Sequence, residues 1–197
     1  MSKIKLPHAS GNSMSIAAPA TNPASDLTLT LPTTIGTVGQ VLSVDGSGNL
    51  VWTDNGPVWF ARQASVQNIS NNTQTIITNL TNDQVTYGTG WNGSTGTFTV
   101  PSGLGGMYYV YGAVGIDDLN SDERIHVKFK KNGAESAWVG SIHSHGNADD
   151  IMMAQITGLY SLSAGDTMNL NVWHNEGGTQ ETETSRTWFG GYRLIGG

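Results

Sequence analysis

The sequence predicts an all-β protein, and three observations carry that expectation. Gly (26), Thr (22), Ser (18) and Asn (16) together make up 82 of the 197 residues, which suits short strands joined by tight turns. Only 24 residues are Asp, Glu, Lys or Arg, half the usual charged fraction of about a quarter, and a helical bundle needs charged outer faces. Apolar and polar residues alternate with a period of two over several stretches, and no stretch reads as a helix. Several short strands at this spacing indicate a β-sandwich or barrel.

The chain divides into three parts. Residues 1–34 contain Pro7, Pro19, Pro23 and Pro32 and no aromatic side chain; all sixteen aromatics lie between Trp52 and Tyr192. Such a segment has little to build a core from and reads as an extended arm. Within it Leu27, Leu29 and Leu31 alternate with threonines, as a half-buried strand would, and that leucine face must pack against something else. Residues 35–56 form the second part. Gly39-Gln40-Val41-Leu42-Ser43-Val44 and Asn49-Leu50-Val51-Trp52-Thr53 flank Asp45-Gly46-Ser47-Gly48, the pattern of a small β-hairpin.

Residues 57–197 are a succession of strands. Ile125, Val127 and Phe129 alternate with Arg124, His126, Lys128 and Lys130, and Asn132-Gly133 then signals a two-residue hairpin turn. Met152, Ala154, Ile156, Tyr160 and Leu162 share one parity, and Met168, Leu170 and Val172 follow the turn Ala164-Gly165-Asp166. The stretch 107–116 is different, because Met107-Tyr108-Tyr109-Val110-Tyr111-Gly112-Ala113-Val114-Gly115-Ile116 is apolar or aromatic on both parities. An antiparallel sandwich normally keeps one face wet. A strand apolar on both sides must be covered twice, by its own core and by a second layer or another subunit, which puts Tyr109, Tyr111 and Ala113 at an expected subunit interface, with an overlying loop as the alternative cover.

Composition also excludes function classes. With no cysteine there are no disulfides, zinc-thiolate sites, iron–sulfur clusters or thiol nucleophiles. A net charge of −6 does not suit a phosphate-neutralising nucleic-acid surface. No apolar run approaches the roughly 20 residues needed to span a bilayer, so membrane insertion is not expected. The opening Met1-Ser2-Lys3-Ile4-Lys5-Leu6-Pro7 lacks the apolar stretch of a secretory signal, which leaves the Asn-x-Ser/Thr sites at Asn68, Asn71, Asn79 and Asn92 without a glycosylating context.

Ordered landmarks over residues 57–197 resemble the complement C1q-like domain of the C1q and tumour-necrosis-factor superfamily. Phe60-Ala61-Arg62 opens the first strand; Trp91-Asn92 and Gly96-Thr97-Phe98-Thr99-Val100-Pro101 lead to Gly106-Met107-Tyr108-Tyr109-Val110. Lys131-Asn132-Gly133 sits at the family's hairpin and Gly165-Asp166 at its Gly-Asp turn, while Phe189-Gly190-Gly191-Tyr192 stands where members close with Phe-Ser-Gly. The resemblance implies a ten-stranded jelly-roll β-sandwich forming a homotrimer, usually a recognition head rather than an enzyme. There is no collagen-like Gly-x-y stalk. Leu29-Thr30-Leu31-Pro32, Gly36-Thr37-Val38-Gly39-Gln40-Val41-Leu42 and Asp45-Gly46-Ser47-Gly48-Asn49-Leu50-Val51-Trp52 instead resemble a module of fibre and appendage proteins in tailed bacteriophages. The expectation is a virion protein assembled in the host cytoplasm. Residues 1–34 would dock on capsid, neck or tail proteins, and the head would bind a host-surface glycan or protein. The alternatives are a purely architectural decoration of capsid or neck, and a non-viral adhesin or lectin.

Chemistry-bearing residues are few. His143 and His145 in Ser141-Ile142-His143-Ser144-His145 would share one face of an extended chain, and Asp149 and Asp150 follow as hard oxygen donors. Together they are the candidate metal set; the resemblance puts this loop near the trimer axis, where relatives carry calcium-binding acidic residues. A polar solvated loop is the competing reading, and no resident cofactor is expected. Asp118-Leu119-Asn120-Ser121-Asp122 begins like a calcium loop, but Glu123 and Phe129 occupy the positions that an EF-hand gives to Gly and Glu. No catalytic set emerges: there is no Gly-x-Ser-x-Gly elbow, and Glu181 with Glu183 lies in a polar segment. Lys128, Lys130 and Lys131 read as the outward face of a hairpin. Trp138, Trp173 and Trp188 read as core unless one reaches a loop end and stacks on sugar.

Overall fold

In a computed structural model of the chain, the structure describes residues 3–7, 10–11, 13–17, 20–21, 23–25, 28–45, 47–117, 122–135, 140–143 and 151–196. The chain forms two compact units, Met1–Thr53 and Asp54–Gly197, with the division three residues ahead of the start expected for the head. Strands are the regular structure throughout, with no helix among the described residues.

The first unit holds two antiparallel hairpins. Strands β1 (Lys3–Pro7) and β2 (Ser13–Ala17) pair with Ile4 opposite Ile16 and Leu6 opposite Met14, a hairpin that the sequence reading of an extended arm missed. Strands β3 (Gln40–Val44) and β4 (Leu50–Asp54) form the hairpin expected around Asp45-Gly46-Ser47-Gly48. The Asp45 carboxylate accepts the Ser47 and Asn49 backbone N–H groups at 2.9 and 2.8 Å. These bonds and the Asn49 side chain lower its pKa. Among the described residues no strand forms over the leucine alternation. Only Thr30 bridges, to Asn49, and Leu29 and Leu31 are 62 % and 70 % exposed; Leu27 lies outside the described residues.

The second unit is a two-layer sandwich. Its strands are β5 (Val58–Arg62), β6 (Asn68–Ile69), β7 (Thr75–Ile76), β8 (Asn82–Tyr87), β9 (Trp91–Asn92), β10 (Thr97–Thr99) and β11 (Gly106–Ile116). They continue with β12 (Arg124–Lys131), β13 (Ala134–Glu135), β14 (Gly140–His143), β15 (Met152–Leu162), β16 (Thr167–His174) and β17 (Gln180–Gly196). One sheet runs β15-β11-β17-β5-β8 with β6 beside β17. The other runs β13-β12-β16-β10-β9, with β14 beside β12 and β7 beside β16. Every strand pair in this unit is antiparallel.

The predicted alternations set the inner faces. Ile125, Val127 and Phe129 of β12 and Met168, Leu170 and Val172 of β16 are fully buried against Tyr108, Val110, Val114 and Ile116 of β11. Trp59 from one sheet stacks on Phe98 from the other, ring centroids 3.9 Å apart at 10°. Several buried polar groups at the rim of the core are paired, as burial demands. Thr182 Oγ1 donates to Gln63 Oε1 at 2.6 Å and accepts the Gln67 N–H at 2.9 Å, while Gln67 Oε1 accepts the Thr78 N–H. His174, also fully buried, bridges from Ile69 O at 2.9 Å to the Glu176 N–H.

Two turns singled out in the sequence meet each other. Asn132 and Gly133 both have positive φ (52° and 79°), the backbone of a type I′ hairpin. From this turn Asn132 Nδ2 donates to Asp166 Oδ1 at 2.7 Å and Lys131 Nζ sits 2.9 Å from Asp166 Oδ2. The Ser163 N–H adds a bond of 2.8 Å to the same carboxylate, and Asn132 Oδ1 accepts the Thr167 N–H at 2.8 Å. Asn132, Lys131 and Ser163 together lower the Asp166 pKa to about 2.

Candidate functional site

The register of the sheet that holds β11 decides what its outer face presents. Tyr108, Val110, Val114 and Ile116 of β11 point into the core, so Tyr109, Tyr111 and Ala113 point away. Tyr109 lies opposite Tyr192 and Ala113 opposite Trp188 on β17, and Gly190, between those two, lies opposite Tyr111 and also Phe60 of β5. Five aromatic rings from three strands thereby become neighbours on one surface. Phe60 approaches Tyr111 and Trp188 at centroid distances of 5.9 Å each, Tyr111 approaches Trp188 at 5.8 Å, and Tyr109 contacts Tyr111 and Tyr192 at 5.8 and 5.5 Å. Burial, with the nearby Tyr192 and Tyr109 hydroxyls, raises the Tyr111 pKa.

Two adjacent glycines make room for aromatics on both sides of β17. A Cβ on Gly190 would stand 2.7 Å from the Tyr111 ring on the outer face, and one on Gly191 would overlap the Trp59 ring on the inner face. Around the rings Val85 (50 %), Tyr87 (41 %) and Leu159 (62 %) remain exposed, and Thr157 opposite Tyr111 and Gln155 opposite Ala113 give the β15 side a polar margin. Tyr109 and Tyr111 are only partly covered within one chain, as the two-sided pattern of β11 led one to expect. Ala113 differs, being fully buried already by its own chain. Trp188 is half-buried on this outer face and not in the core.

The opposite sheet presents a polar outer face. Arg124, His126, Lys128 and Lys130 of β12 lie beside Asn169, Asn171 and Trp173 of β16, with His126 stacked on Trp173 at 4.8 Å. Burial, then Lys128 and Arg124, lower the His126 pKa. Lys128 is paired with Glu135 at 2.7 Å. Both side-chain amide atoms of Asn171 are buried without a hydrogen-bond partner.

Of the candidate metal residues only His143 lies among the described residues. His143, on β14, has its Nε2 3.0 Å from the Asp122 carbonyl oxygen; His145, Asp149 and Asp150 lie outside the described residues, as do Asp118, Asn120 and Trp138. No group of three His, Cys, Asp or Glu side chains that could hold a metal ion occurs among the described residues. Glu183 is held by Ser185, through the backbone N–H at 3.1 Å and the hydroxyl, bonds that lower its pKa against its partial burial.

Sequence reasoning found Tyr109 and Tyr111 through the unusual strand, but missed Phe60, Trp188 and Tyr192. Their membership in the face depends on register across β11, β17 and β5. A sequence signal for it existed in Gly190-Gly191, a pair of small residues inside an aromatic strand where rings from neighbouring strands can lie over the backbone.

No family model matches this chain, and no curated protein matches it. Its fold is similar to the crystal structure of murine APRIL at pH 5.0, with TM-score 0.52 and 15 % identity over 71 % of this chain and 99 % of that one. It is equally similar to the globular domain of zebrafish complement 1qA protein, with TM-score 0.52 and 11 % identity over 72 % of this chain and 99 % of that one. At this identity the likeness speaks for architecture alone. The chain carries the jelly-roll fold shared by C1q-like and tumour-necrosis-factor-like domains.

Proposed function

We propose that this chain is a non-catalytic structural and binding protein that works as a homotrimer, carried as an appendage on the particle of a tailed bacteriophage. The observation that supports self-association is the outer face of the six-stranded sheet, where Phe60, Tyr109, Tyr111, Trp188 and Tyr192 form one cluster of rings only partly covered by their own chain. Packing this face against sister copies would cover it, whereas a solitary head leaves an aromatic patch in water. The number three rests on the resemblance to C1q-like heads. The particle setting rests on the resemblance of residues 29–52 to phage appendage modules. In this reading residues 1–34 dock on capsid, neck or tail proteins, and the heads engage a host-surface glycan or protein. Three heads on one stem gain affinity through effective concentration and need no tight single site.

Sedimentation equilibrium of the purified chain tests the assembly. A trimer is expected, and Tyr192→Asp, at the 39 % exposed edge of the cluster, should shift it toward monomer while leaving the strand signal in circular dichroism intact. A monomeric parent protein would sink the proposal. Deleting residues 1–34 should leave the protein soluble and absent from particles; particles that still carry it would rule out docking through the arm.

A further inference from the structure

Asn169 and Asn171 of β16 share the outer face of their sheet, and their amides fare differently there. Asn169 Nδ2 donates to Gly96 O at 3.1 Å and to Thr97 Oγ1 at 2.7 Å. Asn171 is fully buried, yet among the described residues neither its Nδ2 nor its Oδ1 has a hydrogen-bond partner. Burying an amide unpaired is costly, so such a group calls for a reason. The register supplies one. Lys128 of β12 stands directly opposite Asn171, and Ile76 of β7 stands opposite it on the other side. Directly opposed residues share a face with their Cβ atoms about 5 Å apart, so the Asn171 carboxamide lies within reach of a lysine side chain. The next pair on the same face is His126 with Trp173, whose rings are stacked. Glu135, opposite Lys130 and so on this face too, accepts a hydrogen bond from Lys128 Nζ at 2.7 Å.

A lysine, an unpaired buried carboxamide and a carboxylate bonded to the lysine are the groups needed to make an amide between side chains. We propose that Lys128 and Asn171 join in an intramolecular isopeptide bond, a self-modification that ties β12 to β16. Glu135 takes one proton from the Lys128 ammonium, and the freed lone pair of Nζ attacks Asn171 Cγ. Glu135 returns that proton to Nδ2 as the Cγ–Nδ2 bond breaks, so the nitrogen departs as ammonia. Nζ sheds a second proton on becoming an amide nitrogen; the ammonia takes it and leaves as ammonium. Glu135 ends as the carboxylate it was, and no oxidant or cofactor enters. The product no longer carries the unpaired Nδ2, and it gives a chain without cysteine a covalent tie between strands. The Lys128–Glu135 pair keeps side-chain exposures of 23 % and 39 %, so the ammonium persists at neutral pH and the reaction is slow there.

Mass spectrometry of the purified full chain, fresh and after prolonged incubation of the folded protein at about pH 9, tests the bond. The chain should weigh one ammonia less than its sequence. A tryptic digest should contain a branched peptide in which Lys128 is uncut and joined to the peptide that holds Asn171. Lys128→Arg, which keeps the charge pair with Glu135, and Asn171→Ala should both retain their full sequence mass. Glu135→Gln should slow conversion about a hundredfold, and what conversion remains should quicken about tenfold from pH 7 to pH 8 as the free amine grows. A chain at full sequence mass both fresh and after incubation would overturn the inference. So would an ammonia loss traced to an unbranched peptide, or one that persists in Lys128→Arg. These masses are read on denatured single chains, so the outcome is independent of the proposed assembly and particle setting.

Discussion

Replacing Asp166 with asparagine isolates the link between the two turns that close the sandwich at one end. The carboxylate receives Asn132 Nδ2, the Lys131 ammonium and the Ser163 N–H, and its pKa falls from 3.8 to about 2. Each tenfold change in proton affinity is worth about 1.4 kcal/mol, so the difference, 3.8 − 2, bounds the ionic contribution at about 2.4 kcal/mol. The side chain keeps 16 % exposure, and solvent screening at the surface brings the expected value down to about 1 kcal/mol. The sign follows from the lowered pKa: the stabilisation is fully present above pH 3.8 and is lost as pH falls through about 2. Asp166→Asn should therefore melt about 3 °C lower at neutral pH. Its deficit should shrink as pH falls from 4 towards 2, where the parent carboxylate becomes protonated. Thermal melts of both proteins across that range, at one protein concentration, measure it. Equal melting at neutral pH, or a deficit that stays constant down to pH 2, would show that the carboxylate does not hold the turns together.

The glycine pair on β17 should respond asymmetrically to alanine. Gly191→Ala presses on the buried Trp59–Phe98 stack and should cost about 3 kcal/mol, whereas Gly190→Ala meets only the half-exposed Tyr111 ring and should cost about 1 kcal/mol; denaturant melts giving equal losses would contradict their placement on opposite faces. Burial lifts the Tyr108 pKa to about 12, and its hydroxyl donates to Leu104 O at 2.6 Å. This group's stabilisation is complete below pH 10 and disappears as pH rises through about 12. Tyr108→Phe should remove the last-titrating phenol from an ultraviolet titration of the folded protein and cost about 1 kcal/mol; an unchanged final titration step would place the raised pKa elsewhere.

The inner layers of the head were the most legible part of the chain, since burial on one side of β12 and β15 enforces a period of two. Asn132-Gly133 announced its hairpin because both residues adopt positive φ at small cost. Alternation gave no strand at Leu29 and Leu31, where, among the described residues, only Thr30 bridges to another segment. It could not foresee the irregular pairing of β17 with β11 either. Ala113 faces Trp188 and Gly115 faces Glu183, so residues 184–187 stand across from Val114 alone, and Thr187 Oγ1 accepts the Gly115 N–H at 3.2 Å. That bulge resets the parity of everything beyond it, which is how Trp188 reaches the outer face. Composition and periodicity register how much is apolar; register across distant strands decides where the rings go.

The strand order has a consequence for how the head is made. Strand β5 begins at Val58 and its neighbours are β8 and β17, the latter starting at Gln180. On the ribosome, the central pairing of this sheet must wait until more than a hundred further residues have been joined. Contacts of such sequence separation close slowly, and meanwhile Trp59, Phe60, Tyr109 and Tyr111 lack their partners from β17. Yield in cells should therefore depend on the rate at which the last strand is delivered and captured, a kinetic demand set by topology and independent of how stable the finished sandwich is.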